Sequence, residues 1–413
     1  MKNFTPILIA WLFILFDGYD LIVYGTVQPR LIAEWGLSPA LAGTVGSLAF
    51  LGMMIGALLG GRLSDSLGRK KAIIWSGVIL SVFTVLCAIA PNWQVFGLFR
   101  LLAGLGLGGL VPAANSLAAD YVRPRWRAAV ATLMMSGVPI GGSIAALIGI
   151  PVLANHSWRW MFVIALIGLV VLVPLAIMLI PKDVPVKADP SARGEAQTGF
   201  RALLRPPYLG ISILFALVTI VTLTTWYGLG TWLPTLMLKA GTLDLSQPLL
   251  YALTLNLGAV AGSVITAILG DRFGPVPVGV FAAGLGGTGL LILITQPPSG
   301  LIYLILVLAG IGSHGTQCLI IAAIATYYPD RLRGTALGWG LGVGRIGAVA
   351  APQVGGLLLA ASGGSDPTTN FLFFGACALA AAVLLIVIWA MYGARSSHED
   401  RTPAEVREEA AVS

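Results

Sequence analysis

The sequence predicts an all-α integral membrane protein, with twelve transmembrane helices arranged as two pseudo-symmetric six-helix bundles. Three observations predict this. Hydrophobic residues fill 57% of the 413 positions, charged residues only 10%, and the mean hydropathy is +0.91. Those charges are too few to cover a water-soluble domain. Apolar stretches near the ~20 residues needed to cross a bilayer recur along the chain. A short charged motif of the first half returns in the second.

The apolar segments run over 6–28, 41–61, 72–90, 94–119, 128–154 and 160–180, then 208–237, 249–270, 275–297, 301–326, 335–361 and 371–393. Residues 181–207 are rich in proline, charge and small polar residues, and read as a linker. The expected organisation is an N-terminal bundle (1–180), a cytoplasmic linker (181–207), a C-terminal bundle (208–394) and a charged cytoplasmic tail (395–413). Lys2 followed by an apolar run resembles a signal peptide. Asp17 and Asp20 interrupt that run and no small-residue cleavage site follows, so it reads as a retained first helix.

Orientation follows from the basic residues. With the N-terminus in the cytoplasm, nineteen of the 24 lysines and arginines fall on the cytoplasmic side, Arg62, Arg69, Lys70 and Lys71 among them. Only Arg30, Arg159 and Lys239 fall outside, while Arg100 and Arg345 lie within helices. This asymmetry predicts a multi-pass protein of the cytoplasmic (inner) membrane with both termini cytoplasmic. It also explains the net charge of +7 without nucleic acid, because the basic residues sit in short loops. Cys87, Cys318 and Cys377 fall in apolar segments without metal-ligand spacing, so no metal or disulfide is expected. No cofactor is called for. The Gly-rich run of the fourth segment has no preceding strand, which excludes a dinucleotide site.

The two halves repeat. Asp65 and Asp271 are 206 residues apart, as are Gly68 and Gly274, and Arg125-Trp126-Arg127 corresponds to Arg331-Leu332-Arg333 at the same offset. A duplicated six-helix unit is the arrangement of proteins that rock around a central site.

Ionisable residues inside apolar segments are the candidate site. Asp17 and Asp20 share one face of the first helix, and Asp17 lies roughly 16 Å from the helix start, near the midplane. A charged carboxylate there is costly, so it is suited to taking up and releasing a proton. Arg100 lies one to two turns into the fourth segment, and Arg345 about 15 Å into the eleventh. Their planar forks suit a carboxylate, either of a substrate or of an aspartate. His314 is a further proton-linked candidate, and Gln317, three residues on, can bond a hydroxyl. Trp226, Tyr227, Trp339 and Tyr24 can stack on a ring or serve an interfacial belt. An intramembrane protease would need paired aspartates on two helices, so no catalytic residue and no enzyme is expected. Pairing of a substrate carboxylate with Arg100 or Arg345 suits a small organic anion. Such a protein needs protons and membrane lipid as partners, and the monomer is the expected working unit.

The loop Gly61-Arg62-Leu63-Ser64-Asp65-Ser66-Leu67-Gly68-Arg69-Lys70 resembles the signature between helices 2 and 3 of the major facilitator superfamily. Ser66 departs where that signature has a base, and the second copy keeps Asp271, Arg272 and Gly274. The resemblance covers nearly the whole chain and implies a secondary transporter working by alternating access. It makes Gly61, Asp65, Gly68, Arg69, Asp271 and Arg272 a gating loop whose charges pair across the two halves in one state and part in the other. Asp17 to Gly25, D-G-Y-D-L-I-V-Y-G, is similar to the D-G-x-D-x-x-x-x-G signature of the aromatic acid:proton symporters within that superfamily. That narrower resemblance implies proton-coupled uptake of a benzoate-like or hydroxybenzoate-like anion. Gly137-Val138-Pro139-Ile140-Gly141-Gly142 partly resembles the motif of proton-linked drug or metabolite exporters, the alternative function.

Overall fold

The computed structural model describes residues 4–122, 126–181, 200–241 and 245–392, with backbone alone at 60–67, 127–129 and 330–331. Most of the expected linker, the whole expected tail and Arg125 of the repeat lie outside these residues. Among the described residues there are twelve helices long and apolar enough to cross a membrane, and no strand. They are α1 (Thr5–Trp35), α2 (Pro39–Leu67), α3 (Arg69–Cys87), α4 (Trp93–Asp120), α5 (Arg127–Asn155) and α6 (Arg159–Leu179). The second set is α7 (Leu209–Ala240), α8 (Ser246–Phe273), α9 (Pro275–Thr295), α10 (Ser299–Tyr327), α11 (Asp330–Ala361) and α12 (Thr368–Tyr392). A helix satisfies its backbone internally, the condition hydrocarbon imposes.

Helix ends follow local chemistry more than hydropathy. The apolar run of α1 stops near residue 28, yet the helix continues through Pro29 and the exposed Arg30. It stops at Gly36, whose φ of 61° closes the last turn with a bond from its N–H to the Ile32 carbonyl. The start of α4 is set by Asn92, whose side chain accepts from the Val95 N–H at 3.0 Å. Two spans contain a turn of π-helix, at Gly168–Leu172 in α6 and at Ile311–Gly315 in α10.

The internal repeat is visible in backbone geometry. Gly68 sits at φ 90°, ψ 158° before α3, and Gly274 at φ 88°, ψ 146° before α9. Only glycine adopts this region readily, which is why both copies of the motif carry it. Packing repeats as well: α2 meets α11 and α5 meets α8, and a shift of six helices exchanges these two contacts, while α1 against α7 maps onto itself.

Within the first half, α2 packs on α4 and α1 on α5 at backbone-contact range. A methyl group on Gly104 would collide with the Ala49 carbonyl, and one on Gly18 with the Val138 carbonyl. Small residues let helices approach this closely where lipid gives no hydrophobic drive for association. Outward-facing side chains are apolar: Phe281 is 75% and Met178 78% exposed, which suits hydrocarbon and not water.

The halves touch mainly toward the end of the bundle that holds the α1–α2 turn. There Thr44 donates to the Gln353 side chain at 2.7 Å, Thr235 to the Gln28 side chain at 2.7 Å, and Gly43 and Gly356 abut the backbones of Pro352 and Pro39. The same α11 face, followed toward the end where α1 begins, carries Gly342, Gly338 and Gly334, and a methyl on any of them meets nothing within 4 Å. The space between the halves is thus closed at one end and open at the other.

Two substitutions separate these environments. Gly104→Val overpacks a backbone contact and should cost about 3 kcal/mol, read as a fall in the melting temperature of detergent-solubilised protein. Gly338→Ala points into open space and should leave the melting temperature unchanged or raise it, by about 0.5–1 kcal/mol of helix propensity.

Candidate functional site

The middle of α1 places its two aspartates in different surroundings. Asp20 is fully buried and accepts bonds from Arg100 Nη1 at 2.7 Å and from Thr84 Oγ1 of α3 at 2.6 Å. Arg100 Nη2 also donates to the Asp20 backbone carbonyl at 2.9 Å. The arrangement joins α1, α3 and α4 around one neutralised charge pair. Arg100 is only 1% exposed, so its guanidinium is occupied by the protein's own carboxylate.

Asp17, one turn away and equally buried, has an Oδ1 with no hydrogen-bond partner. Asp20 on the same helix and Arg345 of α11, in the opposite half, are the charges within electrostatic reach of it, and Arg345 is the one of opposite sign. Arg345 makes no hydrogen bond or ion pair among the described residues, and it is only partly buried. Tyr227 of α7 is within electrostatic reach of both and packs its ring on Phe50 of α2, centroids 4.7 Å apart. A carboxylate, a phenol and a guanidinium from three helices therefore converge where the halves meet.

A second polar group lies on α10. The π-turn carries His314, whose ring is 5.0 Å from that of Trp226 and faces the Met135 backbone of α5. Its Nε2 and both polar atoms of Gln317 have no partner. No group of three or more His, Cys, Asp or Glu suited to a metal occurs among the described residues.

Other expected residues have structural surroundings. Tyr24 donates to the Ala42 carbonyl at 2.6 Å, tying α1 to α2. Trp339 turns into the core of its own half: its indole N–H bonds the Ser212 carbonyl at 2.9 Å and its ring meets Phe200. An indole N–H in an apolar setting needs such an acceptor.

In this structure the described charges of the gating loop do not pair across the halves, as expected of the state in which they part. Arg69 binds Asp120 and the Ser116 carbonyl of its own half, not a charge across the interface. Asp271 and Arg272 are exposed without an ion pair among the described residues, and Arg272 lies over the Phe273 ring. The halves are apart at this end, so the nearest opposite charge belongs to the same half. The Asp65 side chain and the surroundings of Gly61 lie outside what is described.

Several residues escaped sequence reasoning: Thr84, Phe50, and the pairs Gln28–Thr235 and Thr44–Gln353. A single threonine or glutamine in an apolar run is too common to stand out. Gln28 and Gln353 had the stronger signal, an amide within a membrane segment.

Breaking the Asp20–Arg100 pair from one side leaves a buried charge, so Asp20→Ala should cost about 3–5 kcal/mol. Adding Arg100→Leu should recover most of that loss. Thermal unfolding of the purified single and double variants checks both expectations.

A family model described as Major Facilitator Superfamily matches residues 10–265 and 249–412. The gentisate transporter of Corynebacterium glutamicum is 59% identical over 362 residues, covering 86% of this chain and 81% of the relative. The benzoate transport protein of Acinetobacter baylyi is 34% identical, covering 86% and 83%. Among solved structures, a D-xylose–proton symporter superposes with a TM-score of 0.77 at 18% identity, covering 93% of this chain and 97% of that one. That likeness is one of fold. With the twelve-helix repeat and the intramembrane charges already in place, these matches establish that the chain belongs to the major facilitator superfamily of membrane transporters, and that its relatives there include aromatic acid transporters.

Proposed function

We propose that this protein imports a small aromatic carboxylate together with a proton, by alternating access, with Arg345 receiving the carboxylate and Asp17 carrying the proton. The observation that carries the reading is the mismatch between the two arginines. Arg100 has its carboxylate in Asp20, whereas Arg345 has none. A guanidinium without an anion among the described residues, within electrostatic reach of a carboxylate whose Oδ1 has no donor, suits an anion and a proton. The similarity to transporters named for gentisate and benzoate supports an aromatic acid as that anion.

Charge accounting makes the coupling obligatory. The empty site holds Asp17 and Arg345 with opposite charges and is neutral. With anion and proton bound it is neutral again. With the anion alone it carries one net negative charge, and a central charge costs about 2.5–3.5 kcal/mol or more in a bilayer. Only the empty and doubly loaded forms turn around cheaply. Asp20 is left out of this cycle, because Arg100 and Thr84 already occupy both of its carboxylate oxygens.

The basic-residue asymmetry supports a cytoplasmic position for the open end. In this reading the structure is the inward-facing form, closed outside by the Gln28–Thr235 and Thr44–Gln353 bonds.

Proteoliposomes with labelled gentisate test the proposal. Accumulation should follow an inward proton gradient, rise as the external pH falls, and stay unchanged when a potassium diffusion potential is imposed, since one anion and one proton carry no net charge. Asp17→Asn should abolish gradient-driven accumulation yet retain counterflow exchange. Accumulation driven by potential alone, or intact accumulation in Asp17→Asn, would overturn it.

A further inference from the structure

The proposed site leaves the α10 cluster unused. His314 is 4% and Gln317 5% exposed, yet His314 Nε2, Gln317 Oε1 and Gln317 Nε2 all lack a partner. Each such buried atom is destabilising unless something binds it. Many buried polar side chains of the same half avoid that cost by bonding their own helix. Thr219 donates to the Phe215 carbonyl, Ser263 to Ala259 and Thr266 to Gly262, each four residues back. Even Ser313, beside His314, does so with Ala309. The imidazole and the carboxamide reach further out and do not.

The imidazole lies at the boundary between the halves, with Gln317 one turn further along the same face of α10. The π-turn Ile311–Gly315 sets His314 against Trp226 of α7 on one side and the Met135 backbone of α5 on the other. π-turns inside α-helices recur at functional sites, because the extra residue re-aims the side chains around it.

The unmet chemistry selects the ligand group. Gln317 offers both a donor and an acceptor, and with the other ring nitrogen turned to the Met135 backbone, His314 Nε2 of the neutral ring adds an acceptor. A carboxylate would leave Gln317 Oε1 unmet, and an ammonium would leave Gln317 Nε2 unmet. A hydroxyl donates and accepts through one oxygen, so it answers both. The adjacent Trp226 ring offers a face for an aromatic plane.

We infer that His314, Gln317 and Trp226 form a subsite for a ring hydroxyl of the substrate, so that the protein selects hydroxylated aromatic acids over the unsubstituted ring. The inference rests on the proposed carriage of an aromatic carboxylate, with the carboxylate at Arg345 and the hydroxyl at Gln317. Sites built to bond a hydroxyl discriminate strongly against analogues that lack it, since their own polar groups are then left unpaired.

Binding of gentisate and of benzoate to the purified full chain, by competition against a labelled acid, tests it. The two share a ring and a carboxylate and differ in the hydroxyls. Wild-type protein should prefer gentisate by ~10-fold or more. Gln317→Leu should bring that ratio toward one, and His314→Phe, which keeps the ring contact with Trp226, should reduce it. Gln317→Met, closer in length, serves as the second variant if Gln317→Leu does not insert. Equal wild-type affinity for the two acids, or a preference that survives in Gln317→Leu or Gln317→Met, overturns this inference alone. Binding of neither acid to the wild type overturns the proposed function along with it.

Discussion

A carboxylate and a guanidinium buried together where water cannot follow set the frame of this molecule. Asp20 and Arg100 neutralise each other at 2.7 Å, and Thr84 fills the other carboxylate oxygen. Neither charge is tolerable alone in a low-dielectric interior, so the pair locks α1, α3 and α4 at one depth and one rotation. The glycine contacts of α2 on α4 and α5 on α1 then draw the remaining helices to backbone range around it.

The bonds between the halves are of a different kind. Inside the first half a buried ion pair and close backbone contacts make separation expensive. Across the interface the clasps are neutral, Thr235 to Gln28 and Thr44 to Gln353, each worth a net ~0.5–1.5 kcal/mol. The glycine contacts of Gly43 and Gly356 at the closed end and apolar contact such as Phe50 against Tyr227 accompany them. Rigid units joined by weak, reversible contacts are the physical requirement for rocking about a central site. The charges are distributed accordingly: the complete pair lies within one half, and the incomplete partners, Asp17 and Arg345, face each other from opposite halves.

Much of this was legible in the chain. The helix count and the intramembrane position of Asp17, Asp20, Arg100, Arg345 and His314 follow from hydropathy alone, because transfer into hydrocarbon is a property of each segment. Gly68 and Gly274 were recognisable as equivalents from their shared offset and prove to share a backbone conformation. The end of α1 was less legible. Its last turns leave the apolar run and continue until Gly36 supplies a left-handed cap. Trp339 and Arg69 were expected as site and gate residues from their positions, and in this conformation each has a partner in its own half. Sequence shows that an indole N–H or a guanidinium needs an acceptor; it does not show which acceptor is near.

The two aspartates of α1 divide the sources of information most cleanly. Sequence by itself determined that two acids share one face of a membrane helix, because the helical repeat puts positions three apart side by side. It also determined that arginines lie at comparable depth in the fourth and eleventh segments. Which aspartate belongs to which arginine was decided only by the tertiary structure. Three residues along α1 turn Asp20 toward Thr84 and Arg100 inside the first half, and leave Asp17 toward α7 and α11 across the interface. That choice depends on where four other helices stand around α1, which no local pattern in the chain records.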